Sequence, residues 1–97
     1  MADKLKLILT KDEMNRFFGR NGRYYIDVHG LKVIEAKKLI QKIGALVITG
    51  EKLTVIHGYN KGTAIKEMLI KNNLFHRSYS TNSVHRNPGR TEIIFLI

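Results

Sequence analysis

Two short apolar runs in this chain end on a histidine followed by glycine, and each gives way to residues with helical spacing. The first is Ile26-Asp27-Val28-His29-Gly30 and the second Val55-Ile56-His57-Gly58. A compact apolar run that stops at His-Gly before an amphipathic stretch reads as a strand, a tight turn and a crossover helix. Two such units constrain the chain to an α/β arrangement. As neighbouring parallel strands they would carry both turns to the carboxyl edge of one sheet, where open α/β sheets bind ligands. His29 and His57 are then expected side by side, with two helix N-termini opening toward the same spot. Such an edge suits a phosphodiester, and imidazoles that titrate near neutral pH can move a proton there.

The rest of the pattern fits around these units. Arg20-Asn21-Gly22-Arg23 reads as a turn before a first strand over residues 24–28. Ala36, Leu39, Ile40 and Ile43 recur at helical spacing and predict a helix over 33–43, with Gly44 ending or bending it. Residues 45–48 either extend that helix or form a short strand. A second strand is expected over 53–56 and a second helix over 63–72, the latter with Ala64, Ile65, Met68 and Leu69 inward. Residues 75–84 read as a strand with one wet face, Asn87-Pro88-Gly89-Arg90 as a type II turn, and 91–97 as the closing strand. The expected fold class is α/β, a two-layer βαβαββ sandwich with a four-stranded mixed sheet.

Before it, residues 4–9 alternate Lys and Leu and predict a short extended arm or edge strand. Thr10-Lys11-Asp12-Glu13 is a capping box, and Met14, Phe17 and Phe18 then form an apolar helical face that Gly19 can close. Residues 1–23 are accordingly expected as an arm and amphipathic helix packed on a domain of residues 24–97. Phe17 and Phe18 read as core residues rather than as surfaces for base stacking.

Ninety-seven residues, 43% of them apolar, suit one domain. The absence of cysteine excludes disulfides and thiolate metal sites and points to a reducing compartment. No apolar run is long enough for a signal peptide or a membrane span, so a cytoplasmic protein without membrane attachment is expected. Seventeen Lys and Arg against eight Asp and Glu give a formal charge of +9, which favours a polyanionic partner. Between Glu67 and Glu92 no acidic residue occurs, whereas Lys71, Arg77, Arg86 and Arg90 alternate with His76, Tyr79 and His85. Cations interleaved with rings suit a nucleic-acid surface.

Asp27 and His29 stand two apart on a strand, so their side chains share a face and the carboxylate can orient the imidazole. The pair suits a general base acting on an RNA 2′-hydroxyl or on water; the plainer alternative is a structural network in which Asp27 accepts from the next turn. His57 has the same two readings, a second acid, base or phosphate ligand, or a half-buried ring bonded to its own loop. Lys61 with the N–H groups of Gly62 and Thr63 suits phosphate at a helix start, and Arg86 and Arg90 suit bidentate phosphate contacts. His29, His57 and His85 with Asp27 have ligand types that suit zinc or manganese, yet their spacing matches no tight metal motif. No cofactor is therefore assigned, and a divalent metal is the lesser alternative.

These residues resemble the Smr (small MutS-related) domain family. Ile26-Asp27-Val28-His29-Gly30-Leu31 is similar to its L-D-x-H-G-L strand end, His57-Gly58-Tyr59-Asn60-Lys61-Gly62 to its H-G-x-G-x-G turn, and Pro88-Gly89-Arg90-Thr91 to its closing G-x-T segment. The resemblance covers residues 24–97. Asn60 stands where that family has a glycine, and Lys32 where it often has a helix-capping threonine. The resemblance implies a βαβαββ sandwich that nicks DNA or cleaves RNA, including messenger RNA on stalled ribosomes. It puts Asp27 and His29 in the catalytic motif and His57, Gly58 and Gly62 in the second.

The function expected is an endonuclease with an Asp-x-His proton-transfer centre. Asp27, His29 and His57 are its catalytic candidates, and Gly30, Lys32, Gly58, Asn60, Lys61, Gly62, Thr63, Arg86 and Arg90 its phosphate-binding ones. RNA is preferred to DNA, because in-line attack by a 2′-hydroxyl needs no metal and only Asp27 among the acids falls near the site. A monomer is expected, with the ribosome a candidate partner. The alternative is an RNA- or ribosome-binding module without chemistry, and a third class is a protein-interaction domain using the Phe17/Phe18 segment.

Overall fold

The structure, a computed structural model, describes residues 2–58, 62–71, 74–75, 77–84 and 87–97. The element that sequence periodicity misreads lies before the first His-Gly unit. Asn21 and Gly22 take positive φ of 55° and 78°, the pair of left-handed residues that a type I′ hairpin requires. They fold β1 (Phe17–Arg20) antiparallel onto β2 (Arg23–Asp27), with Phe17 opposite Ile26 and Arg20 opposite Arg23.

The expected helix through Phe18 is thus cut short. Its capping box does form, Thr10 accepting from the Glu13 N–H and Glu13 from the Thr10 N–H, but the helix α2 spans only Lys11–Asn15. Phe17 and Phe18 stack across the hairpin on Tyr24 and Tyr25, with ring centroids 5.8 and 4.9 Å apart. These cross-strand contacts and the ladder hydrogen bonds outweigh a marginal helical turn.

The predicted extended arm is likewise corrected, to a helix α1 (Ala2–Ile8). Leu5 and Leu9 recur at the helical interval and both lie in the core, while Leu7 is 85% exposed. The short Lys/Leu alternation fitted either period, and burial of Leu5 decided between them.

From β2 onward the order is the expected βαβαββ: α3 (Val33–Gly44), β3 (Lys52–Ile56), α4 (Gly62–Lys71), β4 (Tyr79–Val84) and β5 (Asn87–Phe95). With β1 the sheet has five strands rather than four, in the order β1-β2-β3-β5-β4. Only β2 and β3 pair in parallel, joined by α3. Residues 45–48 neither extend α3 nor form a strand. The Arg77 guanidinium secures this stretch by donating to the carbonyls of Gly44 and Val47.

The expected type II turn at Asn87-Pro88-Gly89-Arg90 is replaced by strand. The Gly89 carbonyl accepts from the N–H groups of both His57 and Gly58, at 2.9 and 3.0 Å, and β5 begins at Asn87. Pairing with the second His-Gly turn supplies hydrogen bonds that a local turn could not.

Register assigns two unlike faces to the sheet. Ile26, Val55, Leu53 and Ile93 lie on one, packed with Ala36, Leu39, Ile40, Ile65 and Leu69 of the helices and with Leu5. Arg23, Tyr25 and Asp27, with Lys52, Ile56, Arg90 and Glu92, lie on the other, which is largely polar. Among the described residues no helix is long and apolar enough to cross a membrane.

Candidate active site

Parallel pairing continues past β2, the Val28 N–H donating to Ile56 O at 2.9 Å, and both His-Gly turns do emerge at one sheet edge. The first is a β-turn closed by Leu31 N–H to Val28 O at 3.1 Å, with Gly30 at φ 80°. That φ is the type II requirement at this position and favours glycine. Gly58 takes φ 81°, and a Cβ built on it would stand 3.5 Å from the His29 Cβ, so the two turns touch.

Their histidines diverge nonetheless. His29 projects from the turn, its side chain 66% exposed, and its Nδ1–H donates to Asp27 Oδ1 at 2.5 Å. The same oxygen accepts from the His29 backbone N–H at 3.1 Å. The structural reading of Asp27 holds, and the same carboxylate also orients the ring: it closes the turn and fixes the imidazole. With Nδ1 carrying the proton, Nε2 presents its lone pair outward.

His57 enters the core instead. It is 3% exposed, with Nδ1 3.1 Å from Gly58 O and Nε2 2.9 Å from Thr91 Oγ1. A carbonyl only accepts, so Nδ1 carries hydrogen, and in the neutral ring Nε2 accepts from the threonine hydroxyl. Burial lowers its pKa and outweighs the upward effect of the Gly58 bond, with the charge of Lys66 a lesser downward contribution. Strand alternation explains the divergence: His57 follows Val55 and lies beside Thr91 on the packed face, whereas Asp27 and Arg90 are on the open one. The geometry gives His57 the work of holding the second turn rather than of exchanging protons with a ligand.

Arg90 does reach the site's face. Asp27, Ile56 and Arg90 form one row across β2, β3 and β5, which sets Asp27 and Arg90 about 10 Å apart at the backbone. Lys32 precedes α3 as its N-cap without a capping side chain; its N–H is taken by Glu35 Oε1 at 3.0 Å. That carboxylate occupies the helix start, so α3 offers less to an anion than its position suggested. Gly62 and Thr63 begin α4. Asn60, Lys61, Arg86 and His85 lie outside the described residues. Among the described residues no three His, Cys, Asp or Glu side chains are grouped to hold a metal.

Arg16 belongs to the site although no sequence motif points to it. Its NH1 donates to the carbonyls of Asp27 and His29, at 3.1 and 3.2 Å, and its own carbonyl accepts from the Asp27 N–H at 2.8 Å. The guanidinium thus clamps the first His-Gly turn from the edge of the sheet. Only the hairpin, hidden by the helical reading of residues 14–18, brings it there.

In comparisons with protein-family models, curated proteins and solved structures, nothing matches this chain.

Proposed function

We propose that this chain is an Smr-like endonuclease domain, α3 and α4 layered on one face of its sheet, that cleaves RNA, or nicks DNA, through the Asp27–His29 pair. The observation that carries the reading is the exposed imidazole of His29, oriented through Nδ1 by Asp27 at 2.5 Å with Nε2 outward. An imidazole held in this way through Nδ1 is positioned to act as a general base through Nε2. On RNA, Nε2 removes the 2′-hydroxyl proton, O2′ forms a bond to phosphorus, and the P–O5′ bond breaks. The product ends are a 2′,3′-cyclic phosphate and a 5′-oxygen that takes its proton from water. Arg90 on the same face and the formal charge of +9 support a polyanionic substrate.

The inward turn of His57 supports the second reading, an RNA- or ribosome-binding module without chemistry, since it leaves a single exposed histidine at the described edge. End-labelled single-stranded RNA incubated in excess EDTA with wild type and with His29→Ala separates the two on a denaturing gel. Fragments from the wild type alone support the nuclease. Intact RNA with a salt-dependent mobility shift supports the binding module, and manganese added to that reaction tests the metal alternative.

A further inference from the structure

The Phe18–Tyr25 pair is a stacked aromatic surface on the open face, and neither the core nor the Asp27–His29 pair uses it. The rings lie 4.9 Å apart and 12° from parallel. That spacing equals the distance between neighbouring strands, so the stack runs across the hairpin from Tyr25 on β2 to Phe18 on β1. Since β1 is the edge strand, the outer face of Phe18 looks past the sheet, and this side chain is 50% exposed. A groove lined by Phe18, Gly19, Asn21, Arg23 and Tyr25 opens beside it.

We infer that this platform is a nucleobase subsite, on which an unpaired base of single-stranded RNA continues the Phe18–Tyr25 stack while the adjoining phosphodiester lies at Asp27 and His29. The inference rests on the nuclease or RNA-binding reading above and names where its substrate is gripped. Tyr25 and Asp27 share the open face two residues apart, about 7 Å along the strand, and Phe18 lies one strand further out, which sets it about 8 Å from Asp27 at the backbone. Charge agrees with a polyanion. Asp27 is held by His29 and Glu92 by Lys52, whereas Arg23 and Arg90 have no ion-pair partner among the described residues. Stacking accepts any base, so the subsite selects unpaired strands rather than a sequence. A duplex keeps its bases inside the helix and would leave the platform empty.

Fluorescence anisotropy with a short fluorescein-labelled oligouridine, across a salt series, tests this on wild type, Phe18→Leu and His29→Ala. Leucine keeps the apolar bulk but removes the ring; circular dichroism checks that the hairpin is retained. Phe18→Leu should weaken binding by about five- to a hundredfold with the salt slope unchanged, because stacking releases no counterions. His29→Ala serves as the uncleaving background, in which Phe18→Leu should weaken binding by the same factor. RNA bound equally by wild type and a folded Phe18→Leu overturns the subsite and leaves the nuclease reading standing. Failure of the wild type both to bind and to cleave RNA overturns the two together. Sedimentation velocity supplies the remaining contrast: a wild-type dimer that Phe18→Leu dissociates, with RNA affinity unaltered, makes the platform a self-association surface and rejects the proposal. Should Phe18→Leu unfold, Phe18→Tyr must retain the affinity; its loss also overturns the subsite.

Discussion

The Thr91 hydroxyl stands 2.9 Å from Nε2 of His57 and ties the second His-Gly turn to the strand that closes the sheet. With Nδ1 donating to Gly58 O, the neutral ring accepts at Nε2 from the threonine hydroxyl, and burial favours that neutral form. A buried neutral histidine makes the fold sensitive to acid.

The pKa of His57 is lowered in the folded chain from the ordinary 6.5, chiefly by burial. Below that ordinary value the unfolded chain binds a proton that the folded chain refuses, so this histidine's stabilising effect is complete above about pH 6.5 and is lost as pH falls toward the lowered value. The loss approaches about 1.4 kcal/mol per pH unit within that window. Urea unfolding at a series of pH values should therefore show wild type weakening through this range and His57→Gln weakening less steeply. Parallel curves would remove His57 as the cause.

Asp27→Asn separates orientation from binding. The amide can offer Nδ1 a hydrogen instead of an acceptor, which favours the tautomer with Nε2 protonated and disables the base. RNA cleavage is expected to fall by about 10²- to 10³-fold, with affinity within about twofold of wild type. An affinity loss as large as the rate loss would mean that Asp27 shapes the binding surface instead.

Arg16 acts through the turn it clamps. Arg16→Ala removes two charge-assisted bonds to the carbonyls of Asp27 and His29 and should cost about 1–3 kcal/mol of stability. Cleavage should fall mainly in kcat, with KM little changed, as the His29 ring loses its fixed support. Arg16→Lys, able to reach one carbonyl, should recover part of kcat; a pure KM effect would instead make Arg16 a substrate contact.

Both His-Gly strands, their parallel pairing and the two helices after them were legible because each depends on local period and turn chemistry. The bond of His29 to Asp27 joins the two residues the sequence paired, but it forms because the chain turns after Asp27, where β2 ends, rather than by strand alternation. What escaped reading depended on distant partners. Phe17 and Phe18 meet both helical and strand templates, and only Tyr24 and Tyr25 across the hairpin decide between them. Gly89 has the sequence of a turn but lies where the His57 and Gly58 N–H groups need an acceptor. The opposite fates of His29 and His57 also lie beyond a motif: both precede glycine, yet one ends a strand on the open side and the other faces Thr91 in the core.

Gly44 supplies a packing test of the same kind, independent of function. Although it ends α3, its demand is for space: a Cβ there would stand 2.1 Å from Cε1 of Phe75. That ring cannot retreat freely, with Phe95 4.8 Å and Tyr79 5.1 Å from its centroid. Alanine gains about 1 kcal/mol in helix propensity over glycine, but overpacking of this kind costs about 1–3 kcal/mol and accompanies displacement of the aromatic cluster. Gly44→Ala should therefore be net destabilising by up to about 2 kcal/mol in urea unfolding. In a Phe75→Leu background the clash is relieved, and the same alanine should become neutral or stabilising. Equal effects in both backgrounds would show that Phe75 is not what excludes a side chain at position 44.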